Sequence, residues 1–203
     1  MIPEYIKDRI NLFQHEKYYL QEADSVIILE ERKQDGHAVV QCSCNRDFLV
    51  LPTPEKNVLP YLDGSVKGRT KCADVFVFVY EEDGWELHIM EWKRTVNTST
   101  FADGKEQFRL GIWNARAVAA FLGIEIKKTY LYVGFRTDAI KRIPPENLIA
   151  MRASNNFEAI KIIEEWKKGI VPLYTDAVSV NYPLRKIALD ENGLGELRLA
   201  VSA

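Results

Sequence analysis

The sequence of 203 residues has little of what marks disulfide-rich, secreted or membrane proteins. It contains only three cysteines, Cys42, Cys44 and Cys72, and this odd number argues against a disulfide framework and for a reducing compartment. No apolar run approaches the roughly 18 residues that a membrane-spanning helix needs. The first ten residues include the charges of Glu4 and Arg9, which a signal peptide lacks in its apolar region. We therefore expect a cytoplasmic protein without a membrane segment.

An excess of charge of one sign is also absent. Lysine and arginine number 27 against 29 aspartate and glutamate, which gives a net charge of −2. This balance excludes a protein that coats nucleic acid non-specifically, but it allows a local basic patch that grips phosphate. With 47% hydrophobic and 28% charged residues, the composition is that of a soluble globular chain, and we expect a single domain over 1–203.

Hydrophobic periodicity predicts a mixed α/β domain, because helical and strand patterns alternate along the chain. The expected strands include a central hairpin within a core region at about 70–136. A C-terminal helix with short strands is expected at about 154–203. The predicted elements are an amphipathic helix at about 3–20, a hairpin at 25–31 and 37–43, strands at 74–80 and 85–93, a helix at about 104–122 that Gly123 ends, a strand at 127–136, a helix from Asn155 to Lys168, and short strands at 174–180 and 197–201.

The central hairpin carries the residues with the clearest chemical potential. Asp74 opens its first strand, and Glu91 and Lys93 stand near the end of its second strand. A hairpin places the start of one strand beside the end of the next. Residues i and i+2 of a strand share a face, about 7 Å apart. The sequence therefore predicts that Asp74, Glu91 and Lys93 converge.

Two carboxylates and an ammonium group suit metal-assisted hydrolysis of a phosphodiester. Asp74 and Glu91 can hold Mg²⁺, with Mn²⁺ as a substitute, and leave coordination positions for water and phosphate. The metal lowers the pKa of bound water and offsets the charge of the scissile phosphate. Lys93 can orient the water and stabilise the negative charge that develops.

The Glu-x-Lys triplet alone carries little information, since the chain contains three more copies that begin at Glu31, Glu125 and Glu165. Only the copy at 91–93 has a hairpin, an aspartate at the start of that hairpin and a following helix. The alternative is that Asp74 caps a turn and that Glu91 and Lys93 form an exposed ion pair. Apolar residues on both faces of the strand argue for a central strand instead, where buried charges are costly unless they have a function.

Asp74, the hairpin, Glu91-Trp92-Lys93, a helix and a further strand together resemble the PD-(D/E)xK nuclease superfamily, over about 70–136. Ala73 stands where the name of the motif has proline. The resemblance implies a restriction-endonuclease-like fold with a central mixed sheet flanked by helices, a dependence on Mg²⁺ and a nucleic-acid substrate. It also implies an auxiliary role for Gln107, which lies within the apolar arc of its helix, and it maps a fourth acid of the first helix onto Glu16.

Basic residues are concentrated after the predicted catalytic region. Residues 127–152 hold six lysines and arginines against two acids. We expect a rim that binds the phosphates of nucleic acid, formed by side chains of this region and of the segment before Asp74: Arg69, Lys71, Lys127, Lys128 and Arg136. Solvated surface charge is the alternative.

The sequence thus favours a metal-dependent nuclease, with DNA ahead of RNA as its substrate. A non-catalytic module on the same fold that binds nucleic acid or protein is the first alternative, and a different phosphate-ester hydrolase is the second. Cleavage of both strands would call for a homodimer, which the sequence does not establish. A zinc site built on Cys42, Cys44, Cys72 and His37 is a further alternative, although the Cys-x-Cys spacing is unusual for zinc.

Overall fold

A computed structural model describes residues 1–33, 36–52 and 71–199. In this part of the chain the fold is α/β, with a large mixed sheet of seven strands flanked by helices. The helices are α1 (Glu4–Ile10), a 3₁₀ helix (His15–Lys17), α2 (Thr98–Leu122), α3 (Pro145–Ala153) and α4 (Phe157–Lys168). The strands are β1 (Tyr19–Gln21), β2 (Val26–Lys33), β3 (Gly36–Cys44), β4 (Phe48–Leu51), β5 (Val75–Glu81), β6 (Gly84–Val96), β7 (Ile126–Asp138), β8 (Ile170–Tyr174), β9 (Ser179–Ala188) and β10 (Leu194–Leu199).

The large sheet has the order β1-β4-β5-β6-β7-β9-β8, and β6 occupies its centre. Strands β6, β7 and β9 are parallel to one another, whereas the outer pairs are antiparallel. One face packs against the helices. The other face packs against a smaller sheet of the order β10-β3-β2, and a second apolar core fills the space between the two sheets.

Strand β6 is apolar on both faces because both faces are covered. Leu87 and Ile89 belong to the core beneath the helices, and Met90 and Trp92 belong to the core between the sheets. The expectation of a central strand at this position is confirmed. A strand covered on both sides reads as a nearly continuous apolar run, and charged groups within it need local partners.

Helix α2 spans the covered face and brings polar groups to the sheet. Asn97 caps its first turn by accepting a hydrogen bond from the Thr100 amide, and the Thr100 hydroxyl oxygen accepts from the Asn97 amide in return. Gly123 ends the helix with a φ of 76°, as predicted. At Gly111 a Cβ atom would lie 3.3 Å from the Ala73 side chain. The missing side chain therefore lets the helix approach the residues that precede β5.

Several predicted elements are wrong. The first helix ends at Ile10 and does not extend to residue 20, because Phe13 turns away to pack against Phe121 at a ring distance of 5.6 Å. The predicted strand at 174–180 is mainly the turn between β8 and β9, with Tyr174 and Ser179 paired at its base. Helix α3 was not predicted, and α2 begins at Thr98, before the expected start at about 104.

None of the helices in the described ranges is long and apolar enough to cross a membrane.

Candidate active site

The register of the central hairpin brings Asp74 beside Glu91. Strands β5 and β6 pair from Glu81 opposite Gly84 as far as Val75 opposite Met90, so Asp74, which precedes β5, and Glu91 on β6 lie just beyond the last pair. The Asp74 amide donates at 3.0 Å to the carbonyl of Met90, the residue already paired with Val75, so the regular ladder ends at Val75. The Asp74 carboxylate accepts a hydrogen bond of 2.8 Å from the Trp92 amide, and this bond fixes its orientation.

Glu91 and Lys93 project to the helix-covered face of the sheet, as their spacing from Leu87 and Ile89 requires. Glu91 is fully buried, whereas the Lys93 side chain keeps 20% of its surface exposed. The Lys93 ammonium donates to Glu91 Oε1 at 2.5 Å and to Gln107 Oε1 at 2.7 Å. An ammonium group has three hydrogens, so one remains for a water molecule or a phosphate oxygen.

Helix α2 holds this cluster against the segment before Asp74. Gln107 Nε2 donates to the Cys72 carbonyl at 3.4 Å, and Asn114 Nδ2 donates to the Cys72 thiol at 3.4 Å. Asn114 is buried, so its amide requires such a partner. The sequence places Asn114 inside the apolar arc of the helix, but its contact with Cys72 depends on a packing that the sequence does not reveal.

The carboxylates Asp74 and Glu91 are suitable ligands for Mg²⁺. This cation is commonly bound by one or two carboxylates and completes its shell with water and substrate phosphate. In the described ranges no set of three His, Cys, Asp or Glu side chains is placed to hold a metal. A cation at this site would therefore depend on the two carboxylates together with oxygens from solvent and substrate.

The structure contradicts the zinc alternative. Cys72 lies in the core under the helices, while Cys42 and Cys44 lie in the core between the sheets, so the large sheet separates them. Burial raises the pKa of Cys42 to about 12. Burial also raises the pKa of Cys72 to about 11, and the charges of Glu91 and Asp74 act in the same direction. Burial therefore favours the neutral thiols in the metal-free protein, and the separation of Cys72 from the other two cysteines is what argues against a shared zinc site.

Glu16 does not have the position expected of a fourth acid. It lies in the short 3₁₀ helix after α1, with an exposed side chain. The next strand, β1, forms the edge of the large sheet, and β4 and β5 lie between β1 and the strand that carries Glu91. The prediction relied on a helix over 3–20, and that helix ends before Glu16.

The five predicted phosphate-binding residues do not form one rim around the cluster. Arg69 lies outside the described residues. Lys71 contacts Asp103 on α2 at 3.2 Å, near the cluster. Arg136 donates to the carbonyls of His37, Glu191 and Asn192, so its guanidinium group joins β7 to the start of β3 and to the loop between β9 and β10.

Lys127 and Lys128 lie at the opposite end of the sheet. Lys128 is level with Glu86, and Glu91 is five positions further along β6, or about 16 Å at 3.3 Å per residue. Lys127 pairs with Glu125 at 2.6 Å, and Lys128 pairs with Glu86 at 3.4 Å. These two lysines are therefore remote from the candidate site.

Other basic side chains stand at the end of the sheet where Lys93 lies. Lys141 and Arg142 follow β7, and Lys186 lies on β9 in register with Val133, which is itself opposite Glu91. Lys186 Nζ is 4.6 Å from the centre of the Trp166 ring. Among the described residues no carboxylate lies within 4 Å of these three cations. Sequence reasoning missed Lys186, since the pairing of β9 with β7 joins segments far apart in the chain.

No protein-family model, curated protein or solved structure matches this chain.

Proposed function

We propose that this chain is a metal-dependent nuclease of the PD-(D/E)xK type with a restriction-endonuclease-like fold, and that DNA is preferred to RNA as its substrate. The observation that carries the proposal is the convergence of Asp74, Glu91 and Lys93 at the end of a central strand. Two buried or half-buried carboxylates beside a partly exposed lysine are costly in a protein interior. Such an arrangement is typical of a site with a chemical task.

A bound Mg²⁺ would supply a water molecule of lowered pKa and would offset the negative charge of the phosphate. Asp74 and Glu91 would hold the cation. The hydrogen bond from the Trp92 amide keeps the Asp74 carboxylate in place before substrate arrives. A group that is already oriented needs no rearrangement during the reaction.

Lys93 acts at the substrate side of the site. Glu91 Oε1 and Gln107 Oε1 fix its ammonium group from two directions. Its remaining hydrogen can hold the attacking water or donate to a phosphate oxygen as negative charge develops there. Gln107 positions Lys93, because its other amide atom is anchored on the Cys72 carbonyl.

The basic side chains at this end of the sheet support a polymeric substrate. Lys141, Arg142 and Lys186 form no salt bridge within 4 Å in the described ranges, although the Asp138 carboxylate is close enough to act on the pKa of Lys186, so these charges can contribute to binding of neighbouring backbone phosphates. Contacts of this kind position a nucleic acid without reading its sequence. Cleavage should therefore weaken steeply as the salt concentration rises.

The test is a nicking assay with supercoiled plasmid DNA in Mg²⁺ or Mn²⁺, with a matched single-stranded RNA as a second substrate. Wild-type protein should nick the plasmid, and EDTA should stop the reaction. Lys93→Ala should lower the rate by on the order of a hundredfold or more, as the loss of one electrostatic stabiliser does in other enzymes. Lys161→Ala, which removes an exposed lysine of α4, is the matched control and should leave the rate unchanged.

Unchanged cleavage by Lys93→Ala would overturn the assignment. DNA binding without cleavage, together with a calorimetric absence of Mg²⁺ and Mn²⁺ binding, would instead indicate a non-catalytic module on this fold. Preferential cleavage of the RNA would overturn the assignment of the substrate.

A further inference from the structure

A cleft opens in the large sheet where β7 and β9 part. The two strands pair from Leu131 opposite Leu184 onward, and the residues before these positions form no ladder with each other. The Leu184 amide donates to the Gly169 carbonyl, toward β8, so the backbone nitrogen of the preceding Pro183 faces β7. Proline has no N–H to donate there, and the ladder stops.

The cleft has a volume of about 360 Å³. Its walls are the edges of β7 and β9, with one side chain from α2. The lining includes three cationic residues, Arg116, Lys127 and Lys128, and no acidic residue. Apolar and amide groups complete it, among them Ile126, Val180 and Asn181.

The acidic partners of the three cations do not line the cleft. Arg116 pairs with Asp176 at 2.9 Å and Lys127 pairs with Glu125 at 2.6 Å, and both pairs are largely exposed. Exposed ion pairs contribute little to stability, so an incoming anion can replace them. Lys128 differs, since its partner Glu86 is buried and depends on it.

The strand edges add neutral hydrogen-bonding groups. In a sheet, alternate N–H and C=O groups of a strand point to each side. The register of β7 with β6 shifts at Lys127 and is regular from Lys128 onward, so the groups of Lys128 and Thr129 that point away from β6 face the cleft, before the pairing with β9 begins at Leu131. Backbone N–H groups beside cationic side chains form an environment that favours phosphate.

From these observations we infer that the cleft binds a small phosphate-bearing molecule with an apolar or planar body, of the size of one nucleotide. Binding pockets for small molecules start at about 300 Å³, so the cleft takes a single such unit and excludes a length of polymer. The cations receive the phosphate, and the apolar wall residues contact the body. The cleft is a second binding site, about 16 Å along the sheet from the carboxylate cluster, by the same count of five strand positions. The inference does not depend on the proposed nuclease activity.

The test measures binding of AMP by calorimetry in the presence of EDTA, with adenosine and inorganic phosphate as companion probes. AMP should bind to the wild-type protein, and adenosine should bind at least tenfold more weakly because it lacks the phosphate. The double variant Arg116→Gln with Lys127→Gln should weaken AMP binding at least tenfold. It keeps Lys128, so the buried Glu86 retains its partner.

Two further variants separate this site from general charge and from the candidate active site. Lys161→Gln with Lys168→Gln removes the same charge from exposed positions on α4 and should change AMP affinity less than twofold. Asp74→Asn should also leave AMP affinity unchanged within twofold.

Asn181→Phe tests the cleft directly. It should block AMP binding by filling the cleft from an exposed position of β9, with the thermal unfolding temperature as the check of folding.

The inference fails if AMP does not bind to the wild-type protein, or if the cleft variants bind it as the wild type does. It also fails if adenosine binds as tightly as AMP, or if the α4 control loses affinity to the same extent. Loss of AMP binding in Asp74→Asn would place the nucleotide at the carboxylate cluster and would overturn the second site.

Discussion

Strand β6 carries two acid-x-base pairs, one on each face. The two pairs have the same spacing but differ in their surroundings and in their access to solvent. Glu86 and His88 face the smaller sheet, whereas Glu91 and Lys93 face the helices. In the first pair the side chains are 4% and 1% exposed. In the second pair the glutamate is equally buried, but the lysine reaches solvent.

The closed pair is embedded among aromatic rings. His88 Nδ1 lies 2.8 Å from the Tyr132 hydroxyl, and its ring stacks on Tyr130 at 5.2 Å. Arg185 lies over the Tyr130 ring at 4.9 Å. Burial is the main cause that lowers the pKa of His88, while the neighbouring His88 lowers the pKa of Glu86. No substrate can reach groups enclosed in this way.

The comparison shows that a buried acid beside a base does not by itself indicate catalysis. The open pair has three additional features: Asp74 across the hairpin, Gln107 on the helix and an exposed ammonium group. We therefore expect mutations of the open pair to affect activity and mutations of the closed pair to affect stability.

The largest expected effect is on activity, from Glu91→Gln. The substitution keeps the shape of the side chain but removes a proposed metal ligand, so Mg²⁺-dependent nicking should fall by on the order of a hundredfold or more. The unfolding temperature should change by less than about 4 °C, since Lys93 keeps Gln107 and solvent as partners. Retained activity would remove the distinction between the two pairs.

Glu86→Ala should lower the stability of the protein and leave its activity unchanged. It removes a buried partner from His88 and Lys128, and we expect a loss of about 2 kcal/mol in the free energy of unfolding. For a chain of this size that corresponds to roughly 4–8 °C in thermal unfolding. The nicking rate below the transition should match the wild type. A fall in that rate would show that the closed pair contributes to activity.

Gln107→Ala tests the support of Lys93. The lysine loses one of its two acceptors, and the Cys72 carbonyl loses a donor. We expect about a tenfold lower rate. This value is at the lower end of the loss of activity that follows removal of a residue that orients the ligands of a metal site. Arg109→Ala, two residues further along α2 where the side chain pairs with Glu106, is the control and should leave the rate unchanged. Equal effects of both variants would assign Gln107 a purely structural role.

The smallest effect expected is a pH dependence of stability caused by His88. Its pKa is lowered in the folded protein, so below the unfolded value of about 6.5 the unfolded chain binds a proton that the folded chain refuses. Stability should therefore fall as the pH drops from 7 to 5.5, by at most about 1.4 kcal/mol from this group. The lowered pKa of Glu86 affects the stability only in a more acidic range, below the ordinary glutamate pKa of 4.5.

Guanidinium chloride titrations at the two pH values measure this loss. The groups that face His88 are Glu86 on the same strand, Tyr130 and Tyr132 on β7, and Arg185 on β9. In His88→Asn the fall in stability between pH 7 and pH 5.5 should be smaller than in the wild type. The same fall in both proteins would assign the pH dependence to other residues.

The part of the site that lies in one hairpin could be predicted from the sequence. A short turn determines the register of its two strands, and alternation along β6 determines which side chains share a face. Asp74, Glu91 and Lys93 therefore converge as expected. The arc of apolar residues on α2 placed Gln107 toward the sheet, and it contacts Lys93.

The features that depend on distant segments could not be predicted in this way. Phe13 fits the helical pattern of the sequence, but in the structure it packs against Phe121. This partner is more than a hundred residues away, so the local pattern could not reveal it. Tyr174 and Val178 look like strand residues but are 67% and 63% exposed at a turn. The same limit applies to Lys127 and Lys128, whose position at the far end of the sheet follows from the parallel pairing of β7 with β6.

The short turn at Glu82–Asp83 has a consequence for how this protein can change. Seven paired positions separate it from Asp74, a distance of about 24 Å at 3.4 Å per residue, yet its length decides which residues of β6 lie beside Asp74. Substitutions in the turn are exposed to solvent and should be tolerated. An inserted residue that shifted the register would set Asp74 against a neighbour of Glu91 that points to the other face. The identity of the turn residues is thus open to variation, while their number is tied to the distant carboxylates.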